Sequence, residues 1–140
     1  MKENDFKRWV KANWLGWSET YEPRKGSGVG IADMQFLVNG QLLPVELKVG
    51  RINYDMLYID EVRPDQIGWH FRLNKAGGKS IFLIAVGFRK PERILAYSAP
   101  FIREWHFGLV MAPENEINPD KNKFHNSMHK FCTNLLSSKK

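Results

Sequence analysis

Ile31-Ala32-Asp33-Met34-Gln35-Phe36-Leu37-Val38-Asn39-Gly40-Gln41-Leu42-Leu43-Pro44-Val45-Glu46-Leu47-Lys48-Val49 is the stretch that decides the fold. Ala32, Met34, Phe36 and Val38 recur at every second position, and so do Leu43, Val45, Leu47 and Val49, the period of half-buried strands. Asn39-Gly40 between them is the strongest short hairpin signal, because both residues accept the positive φ that a tight primed turn requires. A two-residue turn there pairs positions whose numbers sum to 79, which sets Asp33 across from Glu46, with Cβ atoms ~4.5 to 5.5 Å apart. Both project from the face opposite the aliphatic one, as does Lys48.

Outward from this hairpin, Phe6, Trp9, Val10 and Trp14 fall at helical spacing with Lys7, Arg8 and Lys11 between them, predicting an amphipathic helix from Glu3 to Trp14. Trp17 to Glu22 reads as a short strand, and Pro23 to Gly30 as a basic, glycine-rich loop. Downstream, Pro64 suits the first position of a helix running to Lys75, with Ile67, Phe71 and Leu73 as its apolar side. Ser80 to Gly87 is a near-continuous apolar run, expected of a central strand covered on both faces. Ile94 to Ser98 is a further strand candidate, Pro100 to Phe107 is ambiguous, and Pro119 opens a last helix with Phe124, Met128, Phe131 and Leu135 on one side. Strands alternating with helices give an α/β fold with a mixed sheet. With no repeat or linker, residues 1–140 read as one domain, with a core over about 3–98 and a C-terminal helical extension over about 99–140.

Nine Phe, five Trp and four Tyr in 140 residues, 43% of them hydrophobic, argue for a packed core and against disorder. The net charge of +6 favours a polyanionic partner. Locally, Arg72, Lys75, Lys79, Arg89, Lys90 and Arg93 face only Glu92, and Lys121, Lys123, Lys130, Lys139 and Lys140 only Asp120, two stretches able to follow a phosphate backbone. The single cysteine, Cys132, excludes an internal disulfide, and the charged start has no signal-like apolar region, so a cytoplasmic location is expected. The longest apolar run, Ile81 to Phe88, is far short of a membrane span.

Two carboxylates held across a hairpin repel each other, a cost usually offset by a bound cation. Carboxylate oxygens suit Mg²⁺, which binds through one or two of them together with a substrate phosphate. A neighbouring Lys48 can hold that phosphate and act on the attacking water, so the set Asp33, Glu46 and Lys48 points to metal-assisted phosphodiester hydrolysis.

Gly30-Ile31-Ala32-Asp33, then Val45-Glu46-Leu47-Lys48, then Gln66 resemble the PD-(D/E)XK nuclease superfamily, and within it the VRR-NUC and Holliday junction resolvase group. The resemblance spans about Glu3 to Gly87, and Ala32 stands where the family name has proline. It implies an αβββαβ core and a divalent-metal-dependent DNA endonuclease. Mg²⁺ or Mn²⁺ would be held by Asp33, Glu46 and the backbone carbonyl of Leu47, with Lys48 catalytic and Gln66 nearby. A carboxylate from the first helix often joins the set; Glu3 fits that place, with Glu19 and Glu22 as rivals. By the same resemblance DNA is the expected substrate, in a bacterial or phage setting, with duplex, branched and Holliday-junction forms all left open. Two symmetric cuts in a junction need two sites, hence an expected homodimer. Arg24, Lys25 and Ser27 in the glycine-rich loop, with Lys7 and Lys11, are the expected phosphate contacts.

Plainer readings compete with each of these. Glu46 and Lys48 could form a solvated surface pair of little energetic consequence, Glu3 could serve the helix dipole, and Gln66 could simply be a polar helix start. His125, His129 and Cys132 share a helix side, but without a nearby fourth ligand zinc is disfavoured. Trp14, Trp17, Trp69 and Trp105 read as core before they read as base-stacking platforms. A non-catalytic, basic nucleic-acid-binding module on the same fold is the alternative to the enzyme.

Overall fold

The turn at Asn39-Gly40 adopts positive φ at both residues, 51° and 78°, and closes β2 (Met34–Val38) onto β3 (Gln41–Asn53). The antiparallel pairing runs from Val38 opposite Gln41 to Met34 opposite Val45, the expected register. The computed structural model describes residues 1–21, 32–98 and 108–138. Arg24, Lys25, Ser27, Glu22 and Trp105 lie outside these residues.

β3 is longer than expected and turns a second time. Tyr54 and Asp55 both take left-handed backbone conformations (φ 51° and 64°), and β4 (Met56–Ile59) pairs back so that Asn53 faces Met56. This is another two-residue hairpin, built without the Asn-Gly pair that announces the first. Gly50 allows it, because a Cβ there would sit 2.5 Å from the Tyr58 carbonyl oxygen.

α1 (Glu3–Asn13) and the short edge strand β1 (Ser18–Thr20) precede the hairpins. α2 (Pro64–Lys75) follows them and leads to β5 (Ile81–Val86) and β6 (Arg93–Ser98). β7 (Leu109–Val110), a 3₁₀ turn at Pro113–Asn115, β8 (Glu116–Ile117) and α3 (Phe124–Ser137) complete the described chain. The sheet order is β1-β2-β3-β5-β6-β8, with β4 on β3 and β7 on β4. Among the described strands only β3 and β5 run parallel, Val45 beside Ile81 through Val49 beside Ala85, so the chain crosses over between them through β4 and α2. The fold is mixed α/β, with a mixed sheet and a C-terminal helix.

β5 is central and covered on both faces. Ile81, Leu83 and Ala85 join Phe6, Val10, Trp14, Met34, Phe36, Val45, Leu47, Phe124 and Met128 in a core under α1 and α3. Phe82 and Ile84 join Leu57, Leu95, Tyr97 and Leu109 on the other side. Trp14 stacks on Phe36 with ring centroids 4.3 Å apart, a contact worth about 1 kcal/mol beyond its buried area. The aliphatic side of the hairpin is therefore fixed in the core, and the side bearing Asp33, Glu46 and Lys48 lies on the other sheet face.

Three expectations are corrected. α3 begins at Phe124 and not at Pro119: the Asp120 carbonyl accepts from both Lys123 and Phe124 N–H, and its carboxylate accepts from Asn122 N–H, so a side-chain-held turn replaces the first helical turn. Cys132 joins Phe124 and Met128 on the buried row, while Phe131 and Leu135 are partly buried. In α2 the buried residues are Gln66 and His70, and Phe71 is 46% exposed, so this helix turns a polar face inward.

Candidate active site

Period 2 would put Glu46 and Lys48 in solvent if nothing covered that face of β3. α2 covers it, leaving Glu46 0% and Lys48 2% exposed. The solvated surface pair is thereby excluded. Among the described residues the buried polar or charged side chains are Glu46, Lys48, Gln66, His70 and Ser80, and they form one connected chain. Lys48 Nζ donates to Gln66 Oε1 (2.8 Å), and Gln66 Nε2 donates to Glu46 Oε2 (3.4 Å). Glu46 Oε1 lies 3.2 Å from His70 Nε2, and His70 Nδ1 lies 2.7 Å from Ser80 Oγ.

Local sequence explains how Gln66 reaches this place. Pro64 opens α2, and Gln66, at the third helical position, accepts the Arg63 backbone N–H at 3.1 Å, half of a capping box. Its amide oxygen thus meets Arg63 and Lys48, which leaves the NH₂ group for Glu46. The helix-start role and the site role coincide in one side chain.

Asp33 sits one residue before β2, and its Oδ2 accepts the Leu47 N–H at 2.8 Å. The carboxyl of Glu46 is pushed up to about 10, by burial first and then by hydrogen bonding and charge repulsion from Asp33. The hairpin arithmetic therefore delivers two interacting carboxylates. Burial and the approach of Lys48 lower His70 to about 4, against the pull of Asp33, so its imidazole is neutral. Glu3, at the start of α1, brings Oε2 to 3.9 Å from Lys48 Nζ, and burial raises its carboxyl. Glu19 is exposed on β1 opposite Gln35, so of the described rivals Glu3 reaches the site.

Glu3, Asn4, Lys7, Asp33 and Leu47 line a small cleft of about 40 Å³. The Leu47 side chain is 1% exposed in the core, so its main chain is what borders this cleft. That is about the space of one small ligand such as a water molecule, which occupies about 30 Å³ in the liquid. No group of three or more His, Cys, Asp or Glu among the described residues is arranged to hold a metal. The donors present still fit Mg²⁺, which takes one or two carboxylates and fills its other positions with water and phosphate. Softer, nitrogen- or sulfur-rich chemistry has no support. His125 accepts the Leu15 N–H at 3.0 Å and its ring lies 4.5 Å from that of Trp14, while Cys132 is buried, its thiol pushed up to about 12.

Some basic residues have other work. Lys79 Nζ donates to the Leu135 and Ser138 carbonyls (2.6 and 2.7 Å) and caps the end of α3, and Arg93 pairs with Glu116. Arg72, Lys75, Arg89, Lys90 and Lys11 remain exposed. His70 and Ser80 were not legible as site residues; the signal was a Gln and a His four apart at the start of a helix, one face of which then carries both.

No family model and no curated protein matches the chain. Among solved structures it is similar to Hjc, a Holliday junction resolvase from the archaeal hyperthermophile Archaeoglobus fulgidus, with 12% identity and a TM-score of 0.46 over 89% of this chain and 93% of that one.

Proposed function

We propose that this chain is a divalent-metal-dependent endonuclease that hydrolyses phosphodiester bonds in DNA. Asp33, Glu46 and the Leu47 carbonyl hold Mg²⁺ or Mn²⁺, with Glu3 at the rim. The cation, when bound, polarises the scissile phosphate and lowers the proton affinity of an attacking water. Lys48 contacts the phosphate and orients that water, and Gln66 keeps the Lys48 ammonium and the Glu46 carboxylate in register. Lys7 at the cleft and the exposed Arg72 and Lys75 of α2 supply backbone contacts, joined by Arg24, Lys25 and Ser27.

The observation that carries this reading is the burial of Glu46 and Lys48 beside Asp33, at 0% and 2% exposure, on a face the alternation of β3 assigns to polar groups. Burying ionisable groups costs several kcal/mol unless partners compensate. A site that must place charge against a phosphate explains such an arrangement, and a merely cohesive sheet face does not. The sequence resemblance to junction resolvases makes branched DNA the substrate to try first, cut by a homodimer that sets two sites on one junction.

Incubating the protein with linear, flapped and four-way DNA, in Mn²⁺ and in EDTA, tests this. Cleavage in Mn²⁺ alone supports the enzyme. Salt-sensitive binding without cleavage of any form would favour the non-catalytic module.

A further inference from the structure

His70 and Ser80 have no part in the chemistry above, yet they are 0% and 1% exposed and terminate its hydrogen-bond chain. The ring of His70 is held from two sides, by Ser80 Oγ at 2.7 Å on Nδ1 and by Glu46 Oε1 at 3.2 Å on Nε2. Its faces are packed too, with the Phe82 centroid at 4.5 Å and the Trp69 centroid at 4.9 Å. A neutral imidazole carries one N–H, so the two nitrogens must divide the roles. The Ser80 hydroxyl is a rotatable O–H that can donate to Nδ1, while Glu46, once a bound cation has displaced its proton, can only accept. The consistent assignment is Ser80 O–H donating to Nδ1 and Nε2–H donating to Glu46.

We propose that Ser80 and His70 are positioning residues: Ser80 fixes His70 as the Nε2–H tautomer, and His70 in turn holds the Glu46 carboxylate in place for the divalent cation. Gln66 meets the other oxygen of that carboxylate at 3.4 Å, so the group is restrained at both ends. Glu46 starts from a strand and is buried, so rotation of its side chain is what these two contacts suppress. Outer hydrogen-bond partners of this kind typically set metal affinity by about 10- to 100-fold. The inference rests on the proposed metal site, and its test separates the two.

The readouts are the His70 tautomer, from long-range ¹H–¹⁵N correlation spectra of the protein saturated with diamagnetic Mg²⁺, in which Glu46 is ionised, and Mn²⁺ affinity, from calorimetric titration. Wild-type protein should show Nε2 protonated and Nδ1 bare. Ser80→Ala, a small change that keeps the packing, should let the Nδ1–H tautomer appear and weaken Mn²⁺ binding by about 10-fold. His70→Leu should weaken it at least as much, and His70→Gln, which keeps an N–H donor, should recover part of the loss. An Nδ1–H tautomer in wild type, or an Mn²⁺ affinity that Ser80→Ala leaves unchanged, overturns the inference; Ser80→Ala decides alone if His70→Leu does not fold. Asp33→Asn is the separate arm for the site: if it loses Mn²⁺ while Ser80→Ala does not, the positioning role falls and the metal site stands. If wild type takes up no Mn²⁺, both fall.

Discussion

Raising the pH should destabilise the metal-free protein above about pH 6.5, and Glu46→Gln should remove that dependence. Glu46 has its carboxyl raised from 4.5 to about 10, so between those values the folded state keeps a proton that the unfolded chain has released. Its contribution is complete below pH 4.5 and falls as pH rises, by about 1.4 kcal/mol per unit. His70, lowered from 6.5 to about 4, acts in the other direction, adding stability as pH rises from 4 to 6.5. The two slopes offset each other between 4.5 and 6.5, and above 6.5 only that of Glu46 remains. From pH 6.5 to 8.5 the loss is about 2.7 kcal/mol, or about 8 °C in melting temperature for a domain of this size. Stopping at 8.5 keeps clear of Cys132, whose thiol, raised from 9.0 to about 12, adds its own slope above pH 9. Thermal melts in EDTA at half-unit steps read this directly. Saturating Mn²⁺ should flatten the profile, since a coordinated Glu46 has already lost its proton. A melting temperature constant from 6.5 to 8.5 in EDTA, or the same slope in Glu46→Gln, would refute the reasoning.

Asp33→Asn should abolish cleavage and the Mn²⁺-induced rise in melting temperature while leaving metal-free DNA binding equal or tighter, because one negative charge near the phosphates is gone; matching titration curves for variant and wild type would contradict this. Leu47→Asp, which puts a carboxylate into a core position that is 1% exposed, should cost more than 3 kcal/mol and prevent a cooperative melt; a soluble, cooperatively melting variant would overturn the register. Asp55→Gly, at φ 64°, should stabilise the second hairpin by about 1 kcal/mol in denaturant titrations, and an equal loss would show that the Asp55 side chain holds the turn.

Much of this arrangement was legible because two short-range rules meet at one hairpin. Asn39-Gly40 fixes the register, the alternation fixes the faces, and together they bring Asp33 to the Glu46 strand without any knowledge of the fold. Pro64 and the apolar run at β5 marked their elements for equally local reasons. The second hairpin was hidden because Tyr54-Asp55 reaches positive φ without glycine, and the clue to it lies in Gly50, whose missing Cβ matters only once Tyr58 is folded back. α2 misled through its composition: Phe71 looked like core but is exposed, while Gln66 and His70 face inward because Glu46 and Lys48 lie beneath them. The i, i+4 spacing of Gln66 and His70 puts them on one face, but which way that face turns is set by tertiary contact. The same is true of Lys79, a basic residue apparently suited to DNA that instead caps a helix joined to it only through the fold.

The most direct measurement is metal-dependent cleavage by Lys48→Met set beside its metal and DNA binding. Methionine fills the buried site of Lys48 without its ammonium, so folding, Mn²⁺ uptake by Asp33 and Glu46, and DNA binding in the absence of turnover should persist. Single-turnover assays on end-labelled DNA in Mn²⁺ should then show wild-type protein cutting and Lys48→Met at least 100-fold slower. Wild-type rates from Lys48→Met, or cleavage by wild-type protein that continues undiminished in EDTA, would contradict the assignment of this site as the catalytic centre.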